Sequence, residues 1–504
     1  MIKFFLAICL SLTFLNSFAN YSTPGTGKRW DLDSLVANSG GNVTFSSNTY
    51  FVNDSINITA SDTIFITKNA TLKFAQGVFI DIFGVLRIAP PDSVKITAAD
   101  TSLKFLGLKF EDQADGSYMK KTIFEYGNAI RMLDCDILID SCIIRNNNLN
   151  SSFSSSGVIS FFRSNSTVSH CKIFNNRSAA LQSGANIASS GQILFNEIFD
   201  NVTANGNSPQ INWGATNVTP PMVIRGNIIS GGLYTNAGGI SFLPIGSANI
   251  VIENNVIRKN RYGIAFAAST ITAYVNNNII DTNNIQGSPT LGGSGINFNS
   301  PTAMSVICTR NKIRGNLWGI TIQGGAKPNL GNIGNSDTTD VGLNQLYWNS
   351  NTGQIYDLYN NTKDSIKAEN NYWGTANLDS IEAHIFHKPD LDSLGFVDYL
   401  PIRTVTSIGA SNTASLVNGF KLYDAYPNPF NPTTSISFEI SKKMNVVLNI
   451  YDLTGKLIQT LFNGVREPGK YEVQFNAENL SSGMYFYRIE SEGITETKKL
   501  MLLK

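Results

Sequence analysis

One short pattern is repeated along the middle of the chain and restricts its fold more than any other feature. Each copy begins with Asn, or with Cys in the first two copies, and has a large apolar residue two places later. The first positions are Cys142, Cys171, Asn196, Asn227, Asn255, Asn278, Asn311, Asn344 and Asn371. Five places later stand Asn147, Asn176, Asn201, Gly232, Asn260, Asn283, Asn316 and Asn349, before the pattern fails at Ala376. Such regularity predicts a solenoid with one copy per coil.

The spacing and composition of the copies indicate that the coils are made of strands. Successive first positions are 23 to 33 residues apart. Within each copy, apolar and polar residues alternate over short β-branched runs, whereas a helical repeat would place apolar residues at i, i+3, i+4 and i+7. We therefore expect each strand to pair in parallel with its equivalent one coil away, at a separation of about 4.8 Å.

The repeated Asn residues are interpreted first as structural. Asn tolerates left-handed turn conformations, and stacked side-chain amides hydrogen-bond along a ladder. The alternative is that the amides face a ligand. Cys142 and Cys171 occupy the same slot in successive coils, at a separation that suits either a disulfide or two buried thiols.

Changes of composition divide the chain into five segments. Lys3 precedes an apolar run, and the small residues Ser17 and Ala19 follow it, which predicts a signal peptide over residues 1–19. Residues 20–70 are expected to form an N-terminal cap and the first strands, and residues 71–402 the solenoid. A polar linker over 403–419 leads to residues 420–504, where short alternating strands separated by turns predict a small antiparallel β-sandwich.

Charge and hydropathy exclude several classes of partner. The 38 basic and 37 acidic residues give a net charge of +1, which argues against nucleic acid or an anionic membrane as a partner. Past the N-terminal run, the sequence lacks the roughly 18 consecutive apolar residues of a membrane span. It also lacks CxxC pairs and His-rich tracts, which argues against a structural zinc site. We expect no cofactor, with calcium as the alternative. The chain is expected to be a monomer.

The solenoid resembles a known superfamily. The alternating, Gly-containing strands of residues 71–112, the Asn-x-Ile coils and the ending ENNYWG (369–374) resemble right-handed parallel β-helix proteins of the pectate-lyase-like superfamily, over about residues 70–400. The resemblance implies an all-β fold, a right-handed parallel β-helix followed by the small sandwich. It also implies a polysaccharide as ligand, lying along the helix. It specifies the fold better than the activity.

The C-terminal segment resembles a second family. YPNPFNPTT (426–434), NIYDLTGKLIQTL (449–461) and the terminal KKLMLLK (498–504) resemble the C-terminal sorting domain of type IX secretion cargo. This resemblance implies a Gram-negative producer of the Bacteroidetes or their relatives and contact between residues 420–504 and the secretion machinery. It places the mature protein in the extracellular space or on the outer-membrane surface.

The outward positions of the coils supply candidate ligand contacts. Three places after the first Asn, Arg258, Asp281 and Arg314 are expected on consecutive coils, where they either bind carboxylates or form a surface ion-pair ladder. Tyr262 and Trp318 share another slot, two places after the second Asn. They either stack against sugar rings or cover a corner of the solenoid.

Asp134 and Asp136 are the candidate catalytic pair. In a strand they would lie on one face about 7 Å apart, a separation that suits an inverting glycosidase or a calcium site. The alternative is a solvated acidic surface. The sequence lacks the Gly-His-Gly and Arg-x-Lys elements of polygalacturonases and the Arg-x-Pro-x-x-Arg element of pectate lyases. We therefore favour a carbohydrate-binding or adhesive scaffold over the alternative, a polysaccharide lyase, hydrolase or epimerase.

Overall fold

The computed structural model describes residues 21–147, 157–268, 270–404, 420–423, 425, 428, 430–440, 443–452, 456–491 and 494–503. The predicted signal peptide, residues 1–19, and residues 405–419 of the predicted linker lie outside the described residues. The chain divides between residues 405 and 406 into two compact units.

Three long parallel sheets form the first unit. Within the described residues, sheet A has fourteen strands, Tyr21–Ser22, Ile56–Ile58, Phe79–Ile82, Phe105–Phe110, Gly127–Leu133, Gly157–Phe162, Ala179–Ser183, Pro209–Trp213, Gly238–Phe242, Ile264–Phe266, Ser294–Ser300, Trp318–Gly324, Leu358–Asn361 and Ile385–Phe386. Sheet B has eleven, Arg29–Trp30, Thr63–Ile66, Val85–Ile88, Tyr118–Lys120, Leu138–Asp140, Thr167–Ser169, Gln192–Leu194, Met222–Arg225, Ala248–Glu253, Ile271–Asn276 and Ser305–Thr309. Sheet C has thirteen, Val43–Ser46, Thr49–Val52, Ala70–Phe74, Val94–Ala98, Thr122–Glu125, Ile143–Arg145, Lys172–Phe174, Glu197–Phe199, Ile228–Ser230, Val256–Arg258, Ile279–Asp281, Lys312–Arg314 and Gln345–Tyr347.

The chain visits the three sheets in the order A, B, C and then begins the next coil. Each strand pairs in parallel with its equivalents in the coils before and after it, so Ile257 aligns with Ile229 on one side and Ile280 on the other. This is a parallel β-helix, the fold predicted from the repeat. The exception in sheet C is an antiparallel hairpin formed by Val43–Ser46 and Thr49–Val52.

The core consists of apolar residues stacked in columns along the helix axis. The apolar slot of the repeat is fully buried from Ile144 to Leu346. A column of aromatic rings runs beside it, where Phe266 stacks on Phe242 at 5.6 Å and on Phe298 at 5.4 Å between ring centroids. Since strand side chains alternate between faces, the residues between these columns point outward and are available for function.

Each end of the β-helix carries a short helix. Helix Leu32–Asn38 begins after Asp31, whose carboxylate accepts a hydrogen bond from the Ser34 backbone N–H. Helix Leu378–Glu382 precedes the last strand of sheet A. The two-stranded pairs Ser350–Asn351 with Gln354–Ile355, and Ile366–Lys367 with Val397–Asp398, lie at the same end. Strands of all three sheets already occur between residues 21 and 66, within the segment expected to hold the cap and first strands.

The Asn side chains form two buried hydrogen-bonded ladders. From Asn196 to Asn344, each backbone N–H and each side-chain Nδ2 of the first ladder donates to the Oδ1 of the next Asn, at 2.8 to 3.1 Å. The last acceptor is Asn371. Cys171 joins the ladder through its backbone N–H, which donates to Asn196. Cys142 and Cys171 are free thiols.

The left-handed conformations lie beside the ladders rather than in them. The residue that precedes each ladder position has a positive φ, as in Asn254 at 59°, Thr282 at 54° and Leu343 at 63°. The expectation that the ladder Asn residues themselves tolerate the turn was therefore misplaced. Their role is to satisfy backbone and amide groups where the chain leaves one sheet for the next.

The second unit is a small antiparallel β-sandwich, as predicted. One sheet contains Phe420–Leu422, Thr433–Ile440 and Gly469–Asn476. The other contains Met444–Tyr451, Leu457–Arg466, Gly483–Ser491 and Ile494–Leu502. Its core is separate from that of the β-helix and includes Val446, Leu448 and Tyr487.

Candidate functional site

The predicted ligand contacts fall on two different sheets. Arg258, Asp281 and Arg314 occupy one outward row of sheet C and align with one another on consecutive coils. Trp318 begins a strand of sheet A, and Tyr262 lies two residues before the sheet A strand Ile264–Phe266. The structure therefore does not bring the Arg-Asp-Arg stripe and the aromatic pair together in one site.

Within the stripe, two of the three charged residues pair with each other. The Arg314 Nη2 donates to Asp281 Oδ2 at 3.0 Å, and both side chains are partly exposed. Arg258 is exposed at the neighbouring position. An exposed pair of this kind stabilises a fold by less than about 1 kcal/mol. This part of sheet C has the geometry of the ion-pair alternative.

Asp134 and Asp136 do not lie on the face of a strand. They occupy the turn between Gly127–Leu133 and Leu138–Asp140, and Asp134 has a φ of 55°. Asp134 is paired with Arg163, whose hydrogen bond lowers the pKa of the carboxyl. Asp136 accepts the backbone N–H of Asn165 at 2.5 Å. The expected strand geometry was wrong, because the positive φ at Asp134 ends the strand. Both carboxylates instead hold the turn of the next coil.

The two aromatic residues, by contrast, line one groove on the outer face of sheet A. Tyr262 and Trp318 lie two coils apart in the same register position, with Ser294 between them. The groove has a volume of about 490 Å³. Its lining includes Arg261, Tyr262, Pro289, Leu291, Ser294, Asn297, Trp318, Thr321, Gln323, Tyr359 and Asn361.

Aromatic side chains form one end of this groove. The ring centroid of Trp318 lies 4.9 Å from that of Tyr359 and 4.8 Å from that of Tyr356. Tyr359 in turn stacks on Phe386 at 4.6 Å. The Trp318 Nε1 donates to the Pro289 carbonyl oxygen at 3.0 Å, which fixes the orientation of the indole. The result is a rigid aromatic platform that keeps some exposure to solvent.

Polar groups line the rest of the groove. Asn297 Nδ2 donates to the Thr321 hydroxyl at 2.7 Å, and Ser294 lies 3.0 Å from the same hydroxyl. The Arg261 guanidinium lies 5.1 Å from the centre of the Tyr262 ring. Burial raises the pKa of the Tyr262 hydroxyl, which also interacts with the Ser241 side chain. A groove that combines aromatic faces with a few hydrogen-bonding groups suits a ligand with both apolar and hydroxyl surfaces.

Glycine allows each sheet A strand to begin in close contact with the backbone of the next coil. Gly239, Gly263, Gly295 and Gly319 each precede an inward Ile of sheet A. A Cβ at any of them would come within 2.3 to 2.7 Å of a carbonyl oxygen in the next coil. The repeated Gly-Ile pair is therefore the sequence signal for this sheet, and the residue after each Ile is an outward groove position. Asn297, Thr321 and Tyr359 were missed because this second repeat was not used.

The first unit is a parallel β-helix with an aromatic-lined groove on the outer face of sheet A. The C-terminal sandwich adds a specific identification. Residues 424–503 match the family model described as the secretion system C-terminal sorting domain. No curated protein matches the chain. The sorting domain indicates export by type IX secretion, with contact between the tail and that machinery, to the cell surface or extracellular space.

Among the described residues, no helix combines the length and hydropathy needed to cross a bilayer. The same residues contain no group of three or more His, Cys, Asp or Glu side chains placed to hold a metal ion.

Proposed function

We propose that this exported β-helix protein binds a polysaccharide in the sheet A groove and acts as a carbohydrate-binding or adhesive scaffold. The observation that carries the proposal is the aromatic platform of Trp318, Tyr359 and Phe386 beside hydrogen-bonding side chains. Sugar rings present apolar faces and hydroxyl edges, so they match such a lining on both counts. The proposal includes a monomeric protein with a signal peptide at residues 1–19, produced by a Gram-negative bacterium of the Bacteroidetes type.

The test is binding of the full-length protein to a panel of purified polysaccharides, with and without calcium, followed by calorimetry on those that bind. We expect Trp318→Ala to weaken binding at least tenfold, because a few large aromatic contacts dominate binding energies. Trp348→Ala is the matched control. Trp348 is 69% exposed and contacts Tyr347, which lies in sheet C rather than in the groove.

The outcomes separate the candidate functions. Equal affinities for the two Trp variants would exclude the groove as the binding site. Formation of shorter products or of unsaturated sugars would move the protein to the alternative class of polysaccharide lyases, hydrolases or epimerases. A requirement for calcium would indicate a bound calcium ion. Asp134 and Asp136 would then be the first residues to substitute.

A further inference from the structure

A continuous outward row runs the whole length of sheet A. Strand pairing aligns, coil by coil, Ser22, Asn57, Asp81, Lys109, Arg131, Ser160, Gln182, Asn212, Ser241, Ala265, Asn297, Thr321, Tyr359 and Phe386. The aromatic platform described above is one end of this row. The middle, from Ser160 to Thr321, holds amide, hydroxyl and methyl side chains and no charged one. The other end holds Asp81, Lys109 and Arg131.

The side chains at the charged end are held by contacts with their neighbours and are partly buried. Lys109 Nζ lies 3.5 Å from Asp81 Oδ1, and each side chain keeps about 20% of its surface exposed. The Lys109 ammonium lies 4.3 Å from the centre of the Phe79 ring, and the Arg131 guanidinium lies 4.9 Å from the centre of the Phe162 ring. Aromatic rings thus hold both cations in place over the sheet.

Three polar atoms in this end of the row are buried without a hydrogen bond. They are Asn57 Oδ1, Asp81 Oδ1 and Arg131 Nε. The Lys109 contact to Asp81 is at the outer limit of hydrogen-bond length. Orphaned polar atoms are rare in folded proteins because each one destabilises the fold by about 1–3 kcal/mol. Three of them on consecutive or nearby coils of one face indicate partners that the chain itself does not supply.

The identity of these atoms restricts the missing partner. Two of them accept hydrogen bonds and one donates, so a simple anion satisfies only the Arg131 donor. Hydroxyl groups both donate and accept, and so a set of neighbouring hydroxyls satisfies all three. The positive charges of Lys109 and Arg131 interact with the carboxyl groups of both Asp81 and Glu111, so two acidic side chains lie close enough to offset the two cations. The net positive charge available to attract an acidic sugar is accordingly small.

We propose that Asn57, Asp81 and Arg131 form a second sugar-contact site, and that the ligand is an extended, uncharged polysaccharide that reaches from this site to the aromatic platform. The inference rests on the proposed function of the groove. Seven coil steps separate Arg131 from Thr321, which corresponds to roughly 34 Å at about 4.8 Å per step. One polymer chain that contacts both ends gains affinity through the high effective concentration of its second contact.

The test compares ligand lengths and two variants in the full-length protein. The neutral probes are galactomannan and hydroxyethyl cellulose, each as polymer and as a short oligosaccharide of about four sugar units, and the acidic probes are polygalacturonate and alginate. We expect a neutral polymer to bind at least tenfold more tightly than its oligosaccharide. Arg131→Met, which keeps the apolar stem against Phe162, should remove most of that advantage. Arg225→Met is the matched control, since Arg225 pairs with Glu253 on sheet B.

Each outcome bears on one of the two proposals. If Trp318→Ala weakens polymer binding and Arg131→Met does not, the second site is wrong and the groove stands. Binding of the acidic probes alone overturns the uncharged ligand but leaves the groove. Equal affinity for polymer and oligosaccharide overturns the spanning ligand. If no polysaccharide binds, both proposals fall. Unchanged thermal unfolding of Arg131→Met shows that a loss of binding is not a loss of fold.

Discussion

The pKa values of two carboxyl groups on the β-helix shift in opposite directions, depending on the cations beside them. The Glu125 side chain is 3% exposed and receives Lys95 at 2.7 Å and Arg145 at 2.9 Å. Burial raises the pKa of Glu125, but the hydrogen bonds from Lys95 and Arg145 outweigh that effect and lower it. At Asp81, desolvation outweighs Lys109 and the pKa is raised. The ionised form therefore stabilises the fold at Glu125 and opposes it at Asp81.

We predict that the two neutral substitutions affect stability with opposite signs. A lowered pKa contributes stability above the ordinary value of 4.5, and this contribution is lost as the pH falls through the folded-state value. Glu125→Gln should reduce the free energy of unfolding by about 1–3 kcal/mol at pH 7 and progressively less in acid. Asp81→Asn, the matched control, should leave stability at pH 7 unchanged or increase it. Thermal unfolding between pH 3 and pH 7 measures both differences, and a loss at Asp81 equal to that at Glu125 would contradict the argument.

At the residue scale, the Asn repeat located some residues of the candidate site but not others, because the others do not stand at a fixed distance from a ladder Asn. Tyr262 and Trp318 were found because each follows a ladder Asn by two places. In the coil between them, Ser294 follows Asn283 by eleven places, and the regular count from the Asn repeat fails. Asp81 and Arg131 precede the repeat altogether. Their common row becomes visible only through strand register.

The amide ladders are the elements that join one coil to the next. Asn255 is fully engaged, since its Oδ1 accepts from Asn227 N and Nδ2 while its Nδ2 donates to Asn278 Oδ1 and to the carbonyl of Ile224. An interruption of the second ladder leaves a polar atom without a hydrogen bond. Gly232 supplies no amide to the next coil, and Asn260 Oδ1 is left buried without a hydrogen bond. The buried polar groups of each coil therefore depend on the ladder residues of the adjacent coils for their hydrogen bonds.

We predict that Asn255→Ala destabilises the β-helix by at least about 3 kcal/mol, because it leaves several buried groups without partners at once. Asn254→Gly is the neighbouring control. Asn254 is exposed with a φ of 59°, a conformation that Gly adopts without strain, so its replacement should be neutral or slightly stabilising. Chemical denaturation of both variants measures the difference. Similar effects at the two positions would show that the ladder amides contribute no more than surface residues.

At the scale of elements, periodicity predicted what is strictly periodic. The strands of sheet C and the buried Ile column follow the Asn repeat, and the coil count from the repeat matches their pairing. The connections from sheet C to sheet A vary in length, so sheet A was not located strand by strand. The antiparallel hairpin near the N-terminus, which pairs Val43 with Val52, has no counterpart in the repeat and carries no periodic signal.

At the scale of the whole molecule, the β-helix and the export signal belong to different units. The β-helix and the sandwich have independent cores, and the sorting-domain match lies wholly within the second unit. We predict that deletion of residues 420–504 leaves the β-helix folded but stops its delivery to the cell surface or medium. Fractionation of cells that express the full chain or the deletion variant measures the distribution. Circular dichroism and proteolysis of the retained protein serve as the folding control. Normal release of the deletion variant would show that export depends on another segment.

The amide ladders also give the β-helix a direction. The hydrogen bonds between ladder amides all run toward the C-terminal coil, from Nδ2 to the Oδ1 of the next Asn. The small dipoles of successive Asn side chains therefore add along the axis, as peptide dipoles do in an α-helix. The second ladder ends with Asn349, whose backbone N–H and Nδ2 donate to the buried carboxylate of Asp357 at 3.3 and 2.8 Å. An anion thus stands at the positive pole of the column, as an acidic residue does at the start of a helix. The solenoid is an electrically polar rod, and a coil inserted into it must face the same way as all the others.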